Sequence, residues 1–266
     1  MKRLRNSLLG MTTTSDLSTP PANSGATNVA AKAVHVTKTY GKGEAQVNAL
    51  DDVTAEFHKG EFTAIMGPSG SGKSTLLHCI AGLDRVTGGE VWIGETDITR
   101  MSEKKLTLVR RQRIGFIFQS FNLLPTLSAK ENIELPQRLA KGKSNKAFTD
   151  KVVNILGIRD RLSHKPSELS GGQQQRVAVA RALARQPEIV FADEPTGNLD
   201  SKSGTEVLKY IRNAVDEFNQ TIVMVTHDAA AAAYADRVIF LKDGKVVNEM
   251  RDPDASSIFD YIKSLG

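Results

Sequence analysis

The sequence predicts an α/β fold built on a mostly parallel sheet, and three observations carry that prediction. Short apolar runs that end in polar residues recur along the chain: "EFTAIMGPSG", "PEIVFADEP" and "TIVMVTHD". Between them lie stretches such as Val207, Ile211, Val215 and Phe218, whose three- and four-residue spacing is that of an amphipathic helix. Composition completes the picture, with 266 residues, 40% hydrophobic and 24% charged, the balance of a soluble globular chain with a sizeable core. Strands that are apolar throughout need cover on both faces, and alternation with helices supplies it.

Taken in order, residues 1–31 read as a disordered polar tail. "MTTTSDLSTPPANSGATNVAA" is rich in Ser, Thr, Pro and Asn and has no apolar period, so it cannot bury enough surface to fold. The folded domain is expected to span 32–266. It opens with "AVHVTKTY", which alternates like a strand, and closes near "VIFLKDGKVV", a hairpin with Asp243-Gly244 at its turn. The start "MKRLRNSLLG" is basic, but Leu8-Leu9 is too short an apolar run for a secretory signal. No run approaches the length of a membrane span. The one cysteine, Cys79, excludes an internal disulfide and fits a reducing compartment. Net charge is +5, of which Lys2, Arg3 and Arg5 supply three units. That balance gives no reason to expect a nucleic-acid partner.

"GPSGSGKST" fits G-x-x-x-x-G-K-[ST] from Gly67 to Ser74, directly after a strand and opening a helix. Gly67, Pro68, Ser69, Gly70, Ser71 and Gly72 form a loop whose backbone N–H groups can converge on phosphate oxygens. The helix N-terminus adds partial positive charge, with Thr75 in its first turn. Lys73 would reach the β- and γ-phosphates, and Ser74 would offer its hydroxyl to Mg²⁺. An ordinary glycine turn before a core helix would not need Lys-Ser after the last glycine. A dinucleotide fingerprint is excluded, because Thr75 stands where the third glycine belongs.

A phosphate loop needs an acid at the end of a neighbouring strand, and "IVFADEP" provides two. Adjacent residues of a strand point in different directions, so Asp193 and Glu194 can divide the work. Asp193 is expected on the metal side and Glu194 beside the attacking water as general base. A solvated acidic turn is the plain alternative, weakened by the phosphate loop in the same chain. His227 closes another strand in "VMVTHD". A strand-end histidine is usually structural, but here a hydrogen bond to a γ-phosphate is expected. His78 and Cys79, on the helix after the loop, read as surface and core residues with no chemistry assigned.

"LSGGQQQRVAVARAL", from Leu169, poses a different question. Ser170 and Gln173 fit the S/T-x-x-E/Q capping box, yet Gly171-Gly172 weaken the helix they begin. Glycines there let a backbone or ligand approach closely, and a bare helix N-terminus binds anions. Since the chain's phosphate loop already surrounds one side of a nucleotide, this second anion site is expected to serve the nucleotide of another copy.

These residues together resemble the ABC-type ATPases: a phosphate loop, then "LSGGQ", then "FADEPTGNLD", in that order over roughly residues 32–250. The resemblance implies a RecA-like P-loop NTPase core with an antiparallel β subdomain and a helical subdomain at about 120–168. It implies that Gln119, in "IFQSFNLLP", touches Mg²⁺ and water, that Asp200 couples paired sites, and that Tyr40 stacks on adenine. It implies ATP and Mg²⁺ as ligands and a head-to-tail pair of copies, Ser170 to Gln173 of each capping the other's ATP. The segments "FNLLPTLSAKENIELP" and "FADEPTGNLDS" are similar to the macrolide-export and lipoprotein-release group, with its antimicrobial-peptide, haem and cell-division relatives. That likeness implies a peripheral subunit on the cytoplasmic face, driving a separate integral membrane permease in export or extrusion. A regulator of the cell-division type would use the same engine without moving a solute. A DNA-repair ATPase would need a coiled coil or zinc insertion between Lys73 and Ser170, for which there is no room. A translation factor of this type would carry two phosphate loops.

Overall fold

The computed structural model describes residues 28–140 and 145–265. In chain order they form β1 (Val29–Tyr40), β2 (Val47–His58), β3 (Phe62–Met66), α1 (Lys73–Ile80), β4 (Gly88–Ile93) and β5 (Thr96–Asp97). There follow α2 (Glu103–Arg113), β6 (Ile114–Phe118), α3 (Ala129–Leu139), α4 (Lys146–Ile155) and α5 (Gly171–Leu183). The last third holds β7 (Ile189–Asp193), α6 (Ser201–Phe218), β8 (Ile222–Val225), α7 (Ala229–Ala232), β9 (Arg237–Lys242), β10 (Lys245–Arg251) and α8 (Ala255–Leu265).

Two sheets result. One is antiparallel, in the order β2-β1-β4-β5; the other has six strands, β10-β9-β3-β8-β7-β6. In the larger sheet β6, β7, β8, β3 and β9 all run parallel, and β10 folds back antiparallel to β9. Asp243 and Gly244 make the expected hairpin turn, both with positive φ, as a two-residue connection of this hand requires.

Strand alternation sorts the parallel sheet's side chains into two cores. Phe62, Ala64, Val190, Ala192, Met224 and Phe240 pack with α3–α8 on one face. Ile65, Phe191, Val223, Val225, Ile239 and Leu241 pack with α1 and the antiparallel sheet on the other. Every one of them is buried, which is why these strands read as continuous apolar runs rather than alternating ones.

The tail expectation needs one correction. β1 begins at Val29, and Ala30 and Ala31 are completely buried against its neighbours. Alanine has weak strand preference, so composition hid the strand's start; pairing with β2 and β4 overrides it. Residues 1–27 lie outside the described residues.

Phe191 lies at the centre of the second core, with no solvent exposure. Phe191→Ala should lower unfolding free energy by about 3–5 kcal/mol, read from the midpoint of urea denaturation.

Candidate active site

The register of the parallel sheet decides where the chemistry sits. Phe118 pairs with Asp193, Asp193 with Val225, Val225 with Ile65, and Ile65 with Ile239. Gln119, Glu194, Gly67 and His227 all follow that row by one or two residues. Ligands in open α/β sheets bind at this carboxyl edge.

The loop from Gly67 to Gly72 bends tightly over the end of β9. Gly67 has φ 151°, and a Cβ there would lie 1.9 Å from the Leu241 carbonyl oxygen, so no other residue fits. Lys73 is buried, and its ammonium donates to the carbonyls of Gly67 (2.9 Å) and Pro68 (2.8 Å). Burial pulls its pKa down, against the opposing pull of Glu194 and Asp193. Ser71 Oγ is buried without a hydrogen-bond partner, an arrangement that fits an anion with oxygens to share. Pro68 accepts from the Ser71 N–H, and Ser69 and Gly70 form the exposed tip.

Ser74 Oγ donates to Asp193 Oδ1 at 3.1 Å. A hydroxyl beside a carboxylate is the hard-oxygen donor set that Mg²⁺ takes. His78, one turn further along α1, brings Nε2 to 3.6 Å from Asp193 Oδ2. Asp193 is the main cause that raises the His78 pKa above its usual range. The sequence reading assigned His78 nothing, although its i+4 spacing from Ser74 places both on one helix face. Cys79 is a core residue, as its place in the sequence implies: burial pushes its thiol up to about 12, where it is unreactive.

Glu194 corrects the strand-alternation argument. β7 ends at Asp193, and Glu194 already lies in the left-handed region with φ 44°. A turn separates the two carboxylates, then, and not the pleat. Non-glycine residues held there are strained and cluster at functional sites. The Glu194 N–H donates to the Val225 carbonyl at 2.9 Å, which locks the turn to β8. Its Oε1 meets His227 Nδ1 at 3.0 Å. The structure thus places His227 against the second carboxylate, a partnership that the sequence did not announce.

Gln119 donates from side-chain Nε2 to Asn198 Oδ1 (3.3 Å), and its backbone carbonyl accepts from Asn198 Nδ2 (3.1 Å). It stands beside the Asp193–Glu194 turn but spends these bonds on the "TGNLD" loop. Asp200 caps α6 by accepting the Ser203 N–H at 3.0 Å. That hydrogen bond is the first cause holding its carboxyl below the usual range. Tyr40 is 43% exposed, its hydroxyl donating to Asp84.

At the start of α5 the capping box forms as expected. Gln173 donates its N–H to Ser170 Oγ at 3.3 Å, and Gln173 Oε1 accepts the Ser170 N–H at 2.9 Å. The two glycines differ. Gly172 is buried against α6, where a Cβ would come within 3.1 Å of Ser203 Cβ. Close helix packing therefore accounts for Gly172: the close approach that it permits is that of α6. Gly171 meets the flexible end of Leu199, at 3.3 Å from such a Cβ. Gln175, which the sequence reading passed over, is completely buried and donates to the carbonyls of Phe118 (3.3 Å) and Pro195 (2.6 Å). Only the fold reveals it, because both partners are distant in sequence.

The ABC transporter family description matches residues 50–197, more than half of the chain. The chain belongs to the ABC transporter family. It is an ATP-binding cassette, an ATPase. An uncharacterized ABC transporter ATP-binding protein of Methanocaldococcus jannaschii is 50% identical over 218 residues, covering 81% of this chain and 97% of the relative. The macrolide export ATP-binding/permease protein MacB of Neisseria meningitidis is 45% identical over 217 residues, covering 81% of this chain and 34% of that longer protein. A solved dimeric ATP-binding cassette, in a post-hydrolysis state with ADP and Pi bound, superposes with a TM-score of 0.74. It is 44% identical, and the match covers 84% of this chain and 99% of that one. The RecA-like core, the antiparallel sheet and the helical segment around α3 and α4 are the expected cassette architecture. Among the described residues no helix is long and apolar enough to cross a membrane.

Gly172→Ala should lower stability by about 1–3 kcal/mol through overpacking, whereas Gly171→Ala should leave it unchanged or slightly raised, since alanine favours the helix. Urea titrations of the two variants check this.

Proposed function

We propose that the cassette hydrolyses ATP in a site shared by two copies and so drives a separate membrane permease. The observation that carries this reading is that the two glycine-bearing helix ends have different neighbours. α1 opens beside Asp193 and Glu194, while the neighbours of α5's first turn are Leu199, Phe121 and Ser203. The phosphate loop holds a triphosphate from one side; Ser170, Gly171, Gly172 and Gln173 of a second copy would cap it from the other. The dimeric, ADP- and Pi-bound neighbour supports this pairing.

Within the site, ATP's phosphate oxygens would take the Lys73 ammonium from the loop carbonyls and give Ser71 Oγ its missing partner. Mg²⁺ would be held by Ser74 and Asp193, with Gln119 as a further oxygen donor, and would neutralise charge on the phosphates. Glu194 accepts the proton of the attacking water as the γ-phosphoryl bond breaks, giving ADP and phosphate. His227 orients Glu194 by donating from Nδ1, and as an imidazolium it would also donate from Nε2 to a γ-phosphate oxygen. Tyr40 receives the adenine, and Asp200 stands at the end of the loop that joins β7 to α6.

A groove of about 480 Å³ between α2, β6, α3 and α5 is the permease's candidate seat. Phe116 and Leu135 line it alongside Arg111, Arg181 and Arg185. Arg181 also donates to the carbonyls of Phe121 (2.8 Å) and Asn122 (2.5 Å). Pressure in the groove is therefore felt two residues from Gln119. A permease segment that presents apolar and acidic residues suits this lining. MacB, which carries ATP-binding and permease functions in one protein by its name, supports an export role on the cytoplasmic face of a membrane. In a complex of the cell-division type the same stroke would move a regulator rather than a solute.

Glu194→Gln keeps the side chain's shape and removes the base. ATP should convert that variant to a stable dimer on size-exclusion chromatography while phosphate release falls by at least about a hundredfold. A variant that stays monomeric with ATP, or turns over normally, contradicts the reading.

A further inference from the structure

Tyr40 is held more firmly than an exposed tyrosine needs. Its hydroxyl donates to Asp84 Oδ2 at 2.6 Å. The other oxygen, Oδ1, accepts from Lys38 Nζ at 2.6 Å. The same ammonium donates to the Arg85 carbonyl at 2.7 Å and lies 4.6 Å from the centroid of the Tyr40 ring. Lys38 is only 8% exposed, against 43% for Tyr40. A lysine is rarely so buried unless its charge is paired, and here it is spent on the carboxylate and the ring. One face of the ring is thus covered by a buried cation and its tip is tied down, while the side chain as a whole stays exposed.

The contacts also fix where the ring sits. Lys38 and Tyr40 are two apart on β1, on one side of the strand. Asp84 lies just beyond the end of α1, the helix that begins at Lys73. The cluster therefore ties the ring to the helix whose first turn belongs to the phosphate loop. Burial and the Asp84 carboxylate push the Tyr40 phenol up to about 12, so it remains a donor throughout the neutral range. Burial works against ionisation of Asp84, yet hydrogen bonds from Lys38 and Tyr40 hold its carboxyl below the usual range.

We propose that the Lys38–Asp84 ion pair is a positioning element that presets the Tyr40 ring at a fixed distance from the phosphate loop, ready for the base of a purine nucleotide. The inference rests on the reading of Tyr40 as the base platform. A ring that is already immobile avoids the entropy of ordering it on binding, an effect of about two- to tenfold in affinity for one side chain. Recognition by stacking reads the flat face of the base and ignores its edge.

Titration calorimetry of the full chain with ADP and, separately, inorganic pyrophosphate, both with Mg²⁺, tests this, because only ADP carries a base. Tyr40→Ala should weaken ADP by about five- to a hundredfold and leave pyrophosphate unchanged. Tyr40→Phe, Asp84→Asn and Lys38→Met should each weaken ADP about two- to tenfold, again with pyrophosphate unchanged. Tyr40→Phe removes one exposed oxygen and so keeps the test open if the buried variants misfold. Loss in Tyr40→Ala with wild-type ADP affinity in Tyr40→Phe and Asp84→Asn overturns the positioning role while the platform stands. Equal loss for pyrophosphate overturns it too, since the pair would then act through the phosphate loop. Wild-type ADP affinity in Tyr40→Ala removes the platform itself.

Discussion

Parallel pairing of β6, β7, β8, β3 and β9 in one register is the constraint on which the rest of the structure depends. It delivers Gln119, Glu194, His227 and Gly67 to one edge, though up to 160 residues separate Gly67 from His227 in the chain. A slip of one residue in any strand would exchange its two faces. Phe191 would then leave the α1 side for the helical side, and Asp193 would lose Ser74. Core packing and the geometry of the proposed site are therefore fixed by the same hydrogen bonds. The cost of misplacing the chemistry is the cost of unpacking the core.

A second set of contacts braces α5 against this edge. Gln175 holds the backbone on either side of Gln119 and Glu194 through Phe118 and Pro195. Arg181 grips the loop after β6, whose Phe121 and Asn122 both have positive φ. Asp200 caps α6, and α6 in turn presses Ser203 against Gly172. Displacement of α5 would thus be transmitted to Gln119 and to the Asp193–Glu194 turn at once. This is the mechanical coupling that an ATP-driven closure needs.

The legible parts of this design were those with local spacing. The phosphate loop, the Asp193–Glu194 pair, the capping box at Ser170 and the Asp243-Gly244 hairpin each declare themselves within a few residues. The α/β class followed from apolar runs, because fully buried strands cannot alternate. The antiparallel sheet was legible only in part: "AVHVTKTY" alternates like a strand, but β1 pairs with β2 through several register shifts, and its partners came only with the family resemblance. Its first turn of chain, Ala30-Ala31, has no strand-forming composition. Long-range partnerships were invisible for a different reason. Gln175, the Lys38–Asp84–Tyr40 cluster and the His227–Glu194 contact join residues that only the fold makes neighbours. His78 was within reach, since Ser74 and His78 share a helix face, but a half-exposed histidine gives no signal until its partner is placed.

The central claim is that a working site needs the phosphate loop of one copy and the α5 terminus of another. Complementation between two inactive variants tests it most directly. Lys73→Ala disables the loop and leaves α5 intact; Ser170→Arg does the reverse. In a mixed dimer one of the two sites combines an intact loop with an intact α5 terminus. Phosphate release from the equimolar mixture should therefore rise well above the sum of the two variants assayed alone. A mixture that never exceeds that sum, under conditions where the two variants demonstrably pair, would contradict the shared site.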